Sequence, residues 1–222
     1  MDHFTLAEHG AQHFHAVVLS SLPDIREALF ALPSEQAGVR IHGIEKLRPI
    51  LAAEGVIGGL AAQFLGKQCR AVRAILFDKT AETNWSLAWH QDRTICVKLR
   101  IAVEGYGPWT MKAGLQHVAP PFDLLSRMLT LRVHLDNVPA ENSPLLIALG
   151  SHLAGRVPTE KYDDVVARCG TYACLAEAGD VWAYATPILH ASDAACVTGH
   201  RRVLQIDYSA DELSGELEWL GV

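Results

Sequence analysis

The sequence predicts an α+β chain that is mainly β, an antiparallel sandwich or barrel behind a helical N-terminal part. Three observations predict it. Helical spacing gives way at residue 71 to strand-like runs. Those runs are divided by short turn clusters such as VEGYGP, PAENSP and EAGD. No regular alternation of strand and helix joins them, so a parallel sheet is not expected. The 222 residues, half of them apolar, suit one domain with its own core, without disulfides or structural metals.

Taken in order, residues 1–70 read as a mainly helical buttress. SSLPDIREALFAL carries a Ser before a Pro near the first turn and acidic residues in that turn, which are helix start signals. GIEKLRPILAAEGVIGGLAAQFLG has apolar residues at helical spacing, broken by Pro49, Gly55, Gly58 and Gly59, and predicts two short helices. Residues 71–209 form the β core. AVRAILFD alternates, TICVKLRIAV is β-branched and apolar, and MLTLRVHLDNV puts Leu129, Leu131, Val133 and Leu135 on one face. GDVWAYAT and RRVLQIDYSA complete the set, and DELSGELEWL within residues 210–222 predicts a short terminal helix.

A formal net charge of −6 argues against nucleic-acid or anionic-membrane partners, and no apolar run is long enough to span a bilayer. The N-terminal stretch has no basic segment followed by an apolar one, so no secretory signal is expected. Five cysteines without a CxxC pair predict reduced thiols in a cytoplasmic protein.

AWHQDRTI places His90 and Asp92 two apart, on one face of a strand. Such a pair, if buried, needs a metal or a hydrogen-bonded partner. His134 and Asp136 form a second HxD. His13 and His15 form an HxH that reads as a solvated helix face. His190, in GDVWAYATPILHAS, is the strongest third ligand, and alternation puts Arg201, Val203 and Gln205 of the following strand on one face. Two His and a carboxylate hold Fe(II) on one side and leave positions open, while an Arg fork grips a carboxylate. Arg132, inward on its strand, needs either a carboxylate near Asp92 or an anionic ligand. Trp89, Trp109 and Trp182 are candidate walls, and Gln91 is a candidate substrate or co-substrate contact. Lys79, Asn84 and Trp85 read either as a lid loop or as substrate contacts.

Residues 71–209 resemble the phytanoyl-CoA dioxygenase (PhyH-like) family of Fe(II)/2-oxoglutarate oxygenases. The stretches that carry the resemblance are VRAILFDKTAETNWSLAWHQD, LRVHLDNVPAENSPLLIALGSH, GDVWAYATPILHAS and RRVLQIDYS, in the family's order. Ser143 stands where the family commonly has Gly in its turn.

The resemblance implies a double-stranded β-helix of the jelly-roll or cupin-like kind. It also implies Fe(II) and 2-oxoglutarate as cofactors, with O₂ as co-substrate. By matched position His90, Asp92 and His190 become the metal ligands, and Arg201 and Ser192 the partners of the 2-oxoglutarate distal carboxylate. Arg132 lies beside that co-substrate, Arg202 faces away, and Asp136 is structural. The reaction implied is hydroxylation of an unactivated C–H of a small molecule, and the carboxylate at Asp92 favours it over halogenation. Loops at about 79–88, 103–126 and 153–170 would set specificity. A cupin-like metal enzyme without 2-oxoglutarate and a catalytically silent metabolite binder remain as alternatives.

Overall fold

The computed structural model describes residues 4–33, 36–196 and 199–222. Its strands are β1 (Ala11–Phe14), β2 (Gly38–Ile41), β3 (Arg70–Lys79), β4 (Leu87–His90) and β5 (Ile95–Val97). There follow β6 (Trp109–Lys112), β7 (Leu115–Val118), β8 (Leu129–His134) and β9 (Leu145–Ala148). β10 (Thr171–Cys174), β11 (Val181–Ala185), β12 (His190–Ser192) and β13 (Arg201–Ser209) complete them. Among the described residues they form a six-stranded sheet, β1-β11-β8-β13-β3-β2, a four-stranded sheet, β10-β9-β12-β4, and a three-stranded sheet, β5-β7-β6. Every pairing is antiparallel.

Alternation decides which face of the large sheet meets the helices. Leu129, Leu131 and Val133 of β8 and Leu204, Ile206 and Tyr208 of β13 point outward. They pack on Leu22 and Ile25 of helix Leu22–Leu29, on Leu51 of helix Arg48–Leu51 and on Leu60 of helix Gly58–Leu65. The break between the last two helices is where the glycines predicted it. A Cβ at Gly58 would run into the carbonyl oxygens of Leu51 and Ala52, so only glycine lets the helices approach there. The opposite face of the sheet carries Arg73, Ile75, Phe77, Lys79, Arg132, Arg201 and Gln205. Four of these seven are charged, and they face the cleft described below.

The N-terminal part departs from the helical reading in two places. β1 adds to the edge of the large sheet beside β11, and β2 adds to the other edge beside β3. His13 therefore lies on a strand and not on a solvated helix: its ring stacks on Trp182 at 4.6 Å and its Nε2 lies 3.0 Å from Asp180 Oδ2. The predicted terminal helix does not form. Gly215 adopts a left-handed φ of 65°, and Trp219 bridges Val97. Leu213, Leu217 and Trp219 instead pack with Ile95, Val97 and Leu125. Burial against the small sheet overrides a helix-like composition. All five cysteines are free thiols, and among the described residues no helix is long and apolar enough to cross a membrane.

Candidate metal and co-substrate site

A cleft of about 360 Å³ opens between the inner face of the large sheet and the four-stranded sheet. His90 ends β4 and His190 begins β12, and the two strands pair with these residues opposite each other. Asp92 lies just past the end of β4, so the strand alternation invoked for the HxD pair does not place it; the turn after His90 does. One ligand atom from each of His90, Asp92 and His190 comes within 4.8 Å of the others, and this is the metal-competent group found among the described residues.

The hydrogen bonds prepare this group for a metal. His90 Nδ1 lies 2.8 Å from the Ala88 carbonyl oxygen, and His190 Nδ1 lies 2.9 Å from that of Ile188. A carbonyl only accepts, so each Nδ1 carries the proton and each Nε2 keeps its lone pair. Burial, with His90 close by, pushes the His190 imidazole down to about 4, which keeps it neutral at pH 7. Burial works to raise the Asp92 carboxyl, but Arg73 and then the two histidines hold it at about 2. Arg73 Nη2 donates to Asp92 Oδ2 at 3.0 Å, and its Nε donates to Asp207 Oδ2 at 2.5 Å. Two imidazoles with their Nδ1 atoms engaged and one ionised carboxylate are a donor set that fits a divalent iron-type ion.

Arg201 stands farther along the cleft, 2% exposed. Its Nη1 donates to the Ser143 carbonyl, and its buried Nε has no partner. Ser143 holds a left-handed φ of 49°, so the turn position where the resemblance expects Gly aims a backbone oxygen at this arginine. Lys79, paired with Arg201 across β3 and β13, donates to Ser192 Oγ at 2.9 Å and to the Asp193 carbonyl. Arg132 donates to Gln205 Oε1 at 2.8 Å and lies over the Phe77 ring. No carboxylate pairs with Arg132 among the described residues. Asp92 is taken by Arg73, so of the two partners predicted for Arg132 only an anionic ligand remains. Burial, together with Arg201 and Arg132, pushes the Lys79 ammonium down to about 8. Burial and Arg132 push the Arg201 guanidinium down as well. Each of these cations is held short of an anion.

Several sequence expectations resolve here. His134 is buried and does not line the cleft, and both ring nitrogens lack a hydrogen-bond partner. Asp136 is a structural residue, as expected: it takes two bonds from the Arg202 side chain, at 2.7 and 2.8 Å, and Arg202 points away from the cleft. Gln91 does not touch the cleft. It donates to the Gly155 and Pro187 carbonyls and accepts from Val157 N–H, which anchors the turn that presents Asp92. Asn84 ties its loop to Ala195 through two backbone bonds, so it is a clamp and not a substrate contact. Trp89, Trp109 and Trp182 pack in three other clusters, and the aromatic walls are Phe77 and Trp85. The stretch 103–126, expected as a loop or lid, contains the β6–β7 hairpin, turned at Ala113 and Gly114 with positive φ, and brings Lys112 to the cleft. Sequence reasoning missed Arg40, Arg73 and Lys112, which come from three separate segments.

No family model matches the chain, and no curated protein sequence matches it. Solved structures do match. EctD from S. alaskensis with 2-oxoglutarate and 5-hydroxyectoine gives a TM-score of 0.66 at 18% identity, over 98% of this chain and 77% of that one. HygX from Streptomyces hygroscopicus with nickel, 2-oxoglutarate and hygromycin B bound gives 0.63 at 14% identity, over 92% and 84%. The non-heme alpha ketoglutarate dependent epimerase SnoN from nogalamycin biosynthesis gives 0.61 at 17% identity, over 95% and 87%. At these identities the likeness shows a shared fold.

Proposed function

We propose that the chain is an Fe(II)- and 2-oxoglutarate-dependent oxygenase of the phytanoyl-CoA dioxygenase kind, built on a double-stranded β-helix, that hydroxylates a C–H bond of a small molecule. The observation that carries the reading is one cleft with two differently prepared ends: two imidazole Nε2 lone pairs and the Asp92 carboxylate at one, and buried cations without anions at the other. The similar structures that hold nickel or iron and 2-oxoglutarate support it.

His90, Asp92 and His190 would hold the iron. The chemistry it supplies when bound is oxidation by O₂, one oxygen atom going to the substrate C–H and the other to succinate, with CO₂ released from 2-oxoglutarate. The protein's own residues do the rest. Arg201, with Ser192 and Lys79 beside it, grips the far carboxylate of 2-oxoglutarate, and Arg132 adds positive potential next to it. Arg73 holds Asp92 Oδ2, which fixes the carboxylate and leaves Oδ1 to the metal. Phe77, Trp85 and Leu145 form apolar wall that excludes water.

The test is an anaerobic titration of metal-free protein with Fe(II) and then 2-oxoglutarate, followed by the visible charge-transfer band of the chelate. Arg201→Met removes a charge-assisted bond of about 1.5–3 kcal/mol, so its Kd for 2-oxoglutarate should rise by roughly 10- to 150-fold while iron still binds. An unchanged Kd would move 2-oxoglutarate away from Arg201.

Lys79 adds a pH signature. An anion beside it favours the charged ammonium, so 2-oxoglutarate affinity should be level below about pH 8 and fall above it. Without ligand the sign reverses. Between about 8 and 10.5 the unfolded chain holds a proton that folded Lys79 has lost, so stability rises with pH over that range. Both trends should flatten in Lys79→Met, as read by 2-oxoglutarate titrations and thermal melts from pH 7 to 10. A wild-type affinity that stays level to pH 10 would take Lys79 out of the co-substrate site.

A further inference from the structure

We propose that the substrate is a small organic oxyanion, a carboxylate or a phosphate or sulfate ester, gripped by Arg40 and Lys112 on the metal side of the cleft; this rests on the oxygenase reading. The first argument is a surplus of charge. Arg40, Arg73, Lys112, Arg132 and Arg201 line the cleft, against one lining carboxylate, Asp92. Asp207, behind the cleft, accounts with Asp92 for Arg73 alone. A divalent iron and a doubly charged 2-oxoglutarate cancel each other, so filling the cofactor positions leaves the surplus standing.

The second argument is position. Arg40 on β2 pairs with Ile75 of β3, whereas Arg201 pairs with Lys79 at the far end of β3. Four strand residues separate these levels, about 13 Å at the usual rise. A short diacid fixed between the metal and Arg201 does not extend to Arg40 as well. Lys112, from the β6–β7 hairpin, lines the same cleft as Arg40 and senses the charges of Arg73, Asp92 and Arg40, while Arg40 senses that of Arg73. The cleft thus has two cationic stations, Arg201 with Lys79 at one end and Arg40 with Lys112 toward Arg73 and the metal ligand Asp92.

The third argument is that these two side chains are idle. Arg40 makes no hydrogen bond or ion pair among the described residues, and its Nε is buried without a partner. Lys112 has only a long contact, 3.5 Å to Thr94 Oγ1. Burial, then the other cations, pushes both groups down, so both gain from an anion placed between them. Structural arginines at a sheet edge are expected to pair with a carboxylate or lie in solvent, whereas half-buried Arg40 has its Nε covered and no carboxylate partner among the described residues.

The test is calorimetry on protein loaded with Ni(II), which is redox-inert, and saturated with 2-oxoglutarate. The probes are inorganic phosphate and propionate. Binding of either without loss of 2-oxoglutarate, weakened at least tenfold in Arg40→Gln and in Lys112→Gln, supports the site; the tighter probe names the anion. Unchanged 2-oxoglutarate affinity and thermal midpoint in both variants show that the fold and the co-substrate end survive. Probe binding that displaces 2-oxoglutarate, that ignores both substitutions, or that is absent for both probes overturns the proposal. If 2-oxoglutarate itself fails to bind wild type, the oxygenase reading falls. The same phosphate titration on metal-free protein then still judges Arg40 and Lys112.

Discussion

His190→Ala is expected to abolish turnover and to weaken iron binding by about a thousandfold, beyond the 10- to 100-fold typical of losing a supporting residue around a metal. The reason is the state in which the fold holds this side chain. His190 is buried beside His90, with ring centroids 4.1 Å apart, and its Nδ1 proton is committed to the Ile188 carbonyl. Burial keeps the ring neutral, so no proton has to leave before its Nε2 donates to a metal. Asp92 and His90 alone offer two ligands, too few to fix iron on one face of the cleft. The measurement is metal stoichiometry and affinity by anaerobic titration, with near-ultraviolet circular dichroism to show that the fold persists. His134→Gln is the matched control, since His134 belongs to the other HxD and does not line the cleft. It should leave iron affinity within about twofold. Equal losses in the two variants would mean that a damaged core, and not a missing ligand, is being read.

The two HxD motifs also show how far the sequence reaches. Nothing local distinguishes His90 from His134; both precede a carboxylate by two residues. Family likeness chose the first, and the geometry brings that one to His190. Alternation succeeded where strands are long. β13 has nine residues and β8 has six, so the inward sides of Arg132, Arg201 and Gln205 follow from period two. It failed at Asp92, which lies off the end of a four-residue strand and is aimed by the Gln91 anchor. It also failed at β1 and β2, four-residue edge strands whose only reason to be extended is a partner sheet edge, for β1 one that lies far along the chain. The cationic lining was illegible for the same reason. Arg40, Arg73 and Lys112 each look like an ordinary surface charge until β2, β3 and the β6–β7 hairpin converge. The net charge of −6, read only as an argument against nucleic-acid or anionic-membrane partners, gives no hint of this lining, because it averages over a surface that the cleft does not share.

Arg73→Met should be the most destabilising single change in the cleft, by about 3–5 kcal/mol near pH 7, or roughly ten degrees in Tm. Arg73 bridges Asp92 and Asp207, and Asp207 in turn accepts from Thr130 at 3.0 Å. Burial works against the Arg73 charge, but the carboxylates of Asp207 and then Asp92 hold it firmly ionised. Asp207 already sits above the ordinary carboxyl range, because burial and Asp92 outweigh the help from Arg73. Methionine keeps much of the side-chain volume and removes the cation, leaving the buried Asp207 carboxylate and the half-buried Asp92 carboxylate without the charge that joined them. One of them must then take up a proton. Its folded-state pKa lies above its unfolded one, so the variant binds more protons folded than unfolded at mildly acid pH. Its stability therefore falls as pH rises, and its deficit against wild type should shrink on going from pH 7 to pH 5. Adding Asp207→Asn removes one of the two stranded charges, so Arg73→Met/Asp207→Asn should be more stable than Arg73→Met at pH 7. Urea melts of wild type, Arg73→Met, Asp207→Asn and the double variant at the two pH values decide the matter. A pH-independent deficit with no recovery in the double variant would reduce Arg73 to a packing residue. The predicted pattern would make it the group that keeps Asp92 ionised and aimed before any metal arrives.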